Sequence, residues 1–71
     1  MDYKVKTAER IKLLRKCKHL TQIKMAKDLR ITPQLVSAYE HQVKTPACRM
    51  LIKLADYFDV SIDYLVGRTD K

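Results

Sequence analysis

One local pattern occurs three times in 71 residues: an apolar residue, then Thr or Ser, then another apolar residue four positions further on. It reads Leu20-Thr21 with Met25, Ile31-Thr32 with Val36, and Val60-Ser61 with Leu65. A hydroxyl at the middle position accepts a hydrogen bond from a first-turn N–H that otherwise has no partner in a helix. The apolar pair packs across the same turn and sets the angle at which the chain enters the helix. Both prolines follow threonine, in Thr32-Pro33 and Thr45-Pro46. Proline is tolerated at a first helical position because its missing N–H would be unpaired there anyway. One glycine and two prolines leave little material for a turn-rich β architecture, so the pattern predicts an all-α fold.

Helices are expected at about 8–18, 22–29, 33–41, 46–58 and 62–66, with a flexible arm over residues 1–7 and a tail over 68–71. The first carries Ile11 and Leu14 on one face beside Ala8, and the fourth carries Cys48, Leu51, Leu54, Ala55 and Phe58 as one apolar stripe. Helices two and three are separated only by Arg30-Ile31-Thr32. Two short helices joined by a three-residue turn have the geometry of a helix-turn-helix, here spanning about 22–41.

Several classes of function are excluded early. A chain of this length buries only about 60% of its unfolded surface, which leaves no interior to enclose a substrate. No nucleophile stands beside a base, no glycine loop can cradle a phosphate and no carboxylates converge, so neither an enzyme nor a cofactor is expected. Cys17, His19, His41 and Cys48 match no structural zinc spacing, so no metal site is expected. With no export signal, both thiols are expected to be free in a reducing cytoplasm. No apolar run exceeds three residues, too short for a membrane span or a secretory signal.

The charge is uneven. The net charge is +7, and residues 1–30 hold ten Lys/Arg against Asp2, Glu9 and Asp28. Such a balance suggests a polyanionic partner, nucleic acid before a membrane surface. A solvated helix face would carry the same residues, so charge alone does not decide.

The third helix separates into two faces at 100° per residue. Val36, Tyr39 and Glu40 fall on one side with Leu35 at its edge; Gln34, Ser37, Ala38 and His41 fall on the other. The second stripe is small and polar, with no acid to be repelled by phosphate. Gln can bond adenine in bidentate fashion, Ser can serve either kind of base edge, and Ala can pack on a thymine methyl. An ordinary exposed face remains the alternative for the stripe taken by itself.

Longer stretches carry a resemblance. Arg10-Ile11-Lys12-Leu13-Leu14-Arg15, Leu20-Thr21-Gln22, Met25-Ala26, Leu29, Val36-Ser37-Ala38-Tyr39-Glu40, Leu51-Ile52-Lys53-Leu54-Ala55 and Val60-Ser61-Ile62-Asp63-Tyr64-Leu65 resemble the phage-repressor (Cro/Xre-type) helix-turn-helix domain over residues 8–67. The resemblance implies a compact five-helix, lambda-repressor-like DNA-binding domain whose third helix enters the major groove. It implies base contacts from Pro33, Gln34, Ser37, Ala38 and His41, and phosphate contacts from Gln22, Thr32, Lys44 and Arg49. A proline has no donor to offer, so Pro33 is expected chiefly to start the helix, leaving Gln34 as the leading base contact. It also implies an ion pair between Arg15 and Glu40, joining the first helix to the third. The family favours glycine at slots that here hold His19, Arg30, Gln42 and Asp59. Arg and Gln reach the left-handed region less readily than His or Asp. The turn at Arg30 is therefore expected to be strained or built differently. Leu13, Cys17, Ile23 and Met50 add apolar side chains on outer positions.

The function expected from all this is a cytoplasmic, nucleoid-associated repressor of transcription. It would bind double-stranded DNA as a homodimer on a two-fold-related operator, with Ile62, Tyr64 and Val66 at the dimer interface. The alternative is an antitoxin-type interaction module of the same fold that masks a toxin and autoregulates its operon. The start at Met1 suits either a whole protein or an N-terminal piece of a longer repressor.

Overall fold

The computed structural model describes residues 3–70, which form five α-helices and no strand. These are α1 (Tyr3–Cys17), α2 (Gln22–Leu29), α3 (Pro33–Glu40), α4 (Cys48–Phe58) and α5 (Ile62–Leu65). The three repeated starts behave as expected. Thr21 accepts from the Lys24 N–H at 3.0 Å, Thr32 from Leu35 at 3.1 Å and Ser61 from Tyr64 at 3.0 Å. Their partners across the turn, Met25, Val36 and Leu65, lie in one buried cluster with Ile11, Leu29, Tyr39, Leu54 and Phe58. The apolar stripes of all five helices thus converge on a single core, the arrangement of a lambda-repressor-like domain.

The helix ends share a second device. Each of the five is followed by a residue with positive φ: His19 (57°), Arg30 (60°), Gln42 (64°), Asp59 (56°) and Gly67 (83°). The next residue then sends its N–H back five positions. The bonds are Leu20 to Arg15, Ile31 to Ala26, Val43 to Ala38, Val60 to Ala55 and Arg68 to Asp63, at 2.8–3.0 Å. This is the Schellman arrangement, which satisfies carbonyls left open at a helix end. The slots without glycine therefore take the left-handed conformation regardless, Arg30 included, with φ 60° and ψ 42°. A side chain held there costs roughly 1–2 kcal/mol.

Two boundaries differ from expectation by more than one residue. The expected arm over residues 1–7 is helical from Tyr3 onward, with Met1 and Asp2 outside the described residues. Local and distant contacts lie along this end of α1. Thr7 is buried, and its hydroxyl donates to the Tyr3 carbonyl at 2.6 Å. Arg10 stacks 4.2 Å above the Tyr64 ring and donates to Asp70 at 3.1 Å. A Cβ at Gly67 would stand 2.5 Å from the Lys6 Cβ, so only glycine permits this approach. The second difference is α4, which starts at Cys48 rather than 46. Pro46 is buried in the preceding loop, and Ala47 occupies the cap position without a side-chain hydrogen bond. Thr45-Pro46 is thus a loop element and not a helix start. Cys48 is correspondingly exposed rather than part of the apolar stripe, while Met50 packs against the core.

Candidate nucleic-acid interface

The recognition-type helix α3 is oriented by its buried face. Val36, Tyr39 and Glu40 are all buried, and Leu35 packs at the edge of the core. Gln34 and His41 are exposed, and Ser37 and Ala38 are half-buried between them. The division read from helical spacing is the one observed. Pro33 occupies the first turn, half-buried, as a helix starter.

Glu40 would be costly on that inner face without a partner. Its carboxylate takes two bonds from Arg15, from Nε at 2.6 Å and from Nη2 at 3.1 Å. The Glu40 side chain is 1% exposed and that of Arg15 is 13% exposed. Arg15 also donates through Nη1 to the Leu20 carbonyl at 2.7 Å, and the Gln22 amide donates to Glu40 at 3.2 Å. One network therefore ties α1, the α1–α2 turn, the start of α2 and the end of α3. The hydrogen bonds to Glu40 hold the Arg15 guanidinium above its ordinary pKa. Two parallel bonds in a guanidinium–carboxylate fork fix orientation as well as distance. Gln22 thus turns one N–H inward, and its second N–H is not used by that bond.

Other expected contact residues lie at the surface around α3. Thr32 is exposed, and since its oxygen accepts from Leu35 its hydroxyl hydrogen is left to donate outward. Lys44 and Arg49 are exposed, in the loop after α3 and in the first turn of α4. His41 Nδ1 lies 2.9 Å from the Ser37 carbonyl. A carbonyl only accepts, so this bond requires the proton on Nδ1 and leaves Nε2 as the ring's outer edge. The expected dimer residues are not grouped in this way. Val66 is buried in its own chain and the Tyr64 ring is covered by Arg10, leaving Ile62, 39% exposed, as the outward member. The end of the fold thus turns Tyr64 and Val66 toward its own chain and leaves Ile62 outside.

Sequence reading missed the contacts that brace α2. Lys53 Nζ of α4 donates to the Leu29 carbonyl at 3.0 Å, satisfying the end of α2. Tyr57 donates to Asp28 at 2.6 Å, and Lys24 reaches the other Asp28 oxygen at 2.9 Å. Burial and the Asp28 carboxylate push the Tyr57 hydroxyl up to about 12. The same hydrogen bond, with Lys24 behind it, holds Asp28 below the usual carboxylate range. Long side chains spaced across two helices carry no periodic signal. Val43, three residues past the end of α3, is 76% exposed. Among the described residues, no group of three or more His, Cys, Asp or Glu is arranged to hold a metal, and no helix is long and apolar enough to cross a membrane.

Comparison with known proteins agrees with this geometry. A family model described as a helix-turn-helix domain matches residues 8–71. The chain belongs to the helix-turn-helix domain family, in its phage-repressor (Cro/Xre) branch. It is similar to the uncharacterized HTH-type transcriptional regulators YobD and YqaE of Bacillus subtilis. For YobD the identity is 37% over 62 residues, covering 87% of this chain and 55% of the relative. For YqaE it is 42% over 59 residues, covering 83% and 51%. It is also similar to the cryptic phage CTXphi transcriptional repressor RstR of Vibrio cholerae, at 36% identity over 64 residues, covering 90% and 57%. The chain spans about half the length of these curated relatives. No solved structure matches it at comparable significance.

Proposed function

We propose that the chain is a sequence-specific, double-stranded-DNA-binding regulator of transcription that acts as a repressor on the nucleoid, with α3 read into the major groove. The observation that carries this reading is the divided surface of α3. Its inner face is locked by Val36, Tyr39 and the Arg15–Glu40 fork, and its outer face offers uncharged groups of short reach at Gln34, Ser37, Ala38 and His41. A rigid support behind adaptable polar ends is what bidentate recognition of a base edge requires. Gln22, Thr32, Lys44 and Arg49 border that face and supply the phosphate contacts, which hold register without reading sequence. Three relatives named as transcriptional regulators, one of them a phage repressor, support the same assignment. Binding as a homodimer follows from the family's use of half-sites about 34–36 Å apart, one turn of duplex.

Selection of sites from random duplex DNA tests this reading. An enriched two-fold-related sequence is expected, with affinity falling on a log–log salt plot by about 0.9 per phosphate neutralised. Gln34→Ala should cost about 1–3 kcal/mol on the selected site and relax preference at one base position. Recovery of no preferred sequence would overturn the assignment. An unchanged base preference in the variant would remove Gln34 from its role.

A further inference from the structure

Helix α2 is held at its two ends by different means. Its start is tied into the Arg15–Glu40 network through Gln22. Its last turn is gripped from α4, by two side chains one helical turn apart. Lys53 donates to the Leu29 carbonyl at 3.0 Å, and Tyr57 donates to Asp28 at 2.6 Å. Asp28 and Leu29 close α2, and the next residue is Arg30, held left-handed at φ 60°. The two bonds therefore act on the chain immediately before the strained residue. An ammonium at that carbonyl also suits the negative end of the helix dipole. Lys24 supports the grip from within α2, at 2.9 Å from the other Asp28 oxygen.

We propose that Lys53 and Tyr57 are positioning residues for DNA recognition: by gripping Leu29 and Asp28 they keep the left-handed turn at Arg30 and so fix the angle between α2 and α3. The inference rests on the DNA-reading role proposed above and deepens it. Gln22 opens α2 and Gln34 lies in the first turn of α3. The angle between the helices decides whether the first can reach a phosphate while the second reaches a base edge. Relative magnitudes make the grip matter. A side chain held in the left-handed region costs about as much as one net hydrogen bond contributes. A turn that glycine would adopt freely is therefore close to balance with arginine, and two bonds from outside move its population.

The test measures the affinity of the full chain for the duplex recovered by selection, in Tyr57→Phe, Lys53→Met and Lys53→Arg. Circular dichroism establishes that each variant is folded at the assay temperature. Tyr57→Phe removes one hydroxyl and no charge, so it carries the test even if Lys53→Met unfolds. Tyr57→Phe and Lys53→Met should each bind about three- to tenfold more weakly, the scale of one net hydrogen bond. Lys53→Arg keeps a donor and should bind like the unmodified chain. The salt slope should be unchanged throughout. Adding Gln22→Ala should cost less in Tyr57→Phe than in the unmodified chain, because its phosphate contact is already misplaced. Unchanged affinity in the folded variants, or a Gln22→Ala cost that simply adds, overturns the proposal and leaves the regulator reading intact. So does a salt slope lower by about 0.9 in Lys53→Met, which would make Lys53 a phosphate contact. If the unmodified chain selects no duplex, both fall together.

Discussion

The connections α1–α2, α2–α3 and α4–α5 begin like the connection α3–α4 and then diverge from it. All four open on a left-handed residue followed by an apolar one. In the first three the apolar residue is followed at once by Thr21, Thr32 or Ser61, which caps the next helix. Leu20, Ile31 and Val60 therefore close one helix and brace the start of another, and their side chains turn inward. After α3, Lys44-Thr45-Pro46-Ala47 intervenes, and α4 begins on a residue with no side-chain cap. The apolar residue and the lysine beside it turn to solvent. The same opening thus leads either to a buried brace or to an exposed segment, and the two cases differ in the residue that follows the apolar one.

The largest expected effect lies at the end of α3, where the two kinds of connection meet. Glu40→Ala should cost about 3 kcal/mol or more in urea unfolding, because it leaves the Arg15 guanidinium without its partner in a part-buried site. A double-mutant cycle in which the Arg15 and Glu40 costs simply add would show that the fork does not join the helices. Next comes the direct contrast. Ile31→Ala should cost about 2 kcal/mol, and Val43→Ala should stay within about 0.5 kcal/mol. Equal losses would break the distinction between the connections. A smaller effect has the opposite sign. Ala47→Ser gives α4 the cap that three other helices have, and should raise stability by about 0.5–1 kcal/mol.

The smallest effect is confined to alkaline pH and concerns the brace between α2 and α4. Tyr57 titrates near its ordinary value of about 10 when unfolded but is pushed up to about 12 in the fold. Its contribution is therefore complete below pH 10 and is lost as pH rises toward 12. The stability difference between the unmodified chain and Tyr57→Phe should shrink across that window. A difference that stays constant there would show that the Asp28 bond is not maintained in solution.

What could be read from the chain alone was what depends on near neighbours. Thr21, Thr32 and Ser61 announce helix starts because cap and partner lie within one turn. The two faces of α3 follow from spacing alone, and the Arg15–Glu40 pair followed from resemblance. The first turns of α1 carry no apolar periodicity of their own and are approached by a residue some sixty positions away, Gly67 against Lys6. Thr45-Pro46 misled because the same dipeptide starts α3, and only burial of Pro46 separates the two cases. In α5, four residues long, spacing could not tell Val66 turning inward from Ile62 turning out.

Gly67 lies against Lys6 with no room for a methyl group, so the two ends of the described chain form the jaws of a clasp. The family match starts at residue 8, inside one of those jaws. A fragment trimmed to that homology boundary would lose the buried Thr7 and Lys6, and with Lys6 the side chain packed against Gly67. The buried contacts of this fold thus begin before the stretch that the family model matches.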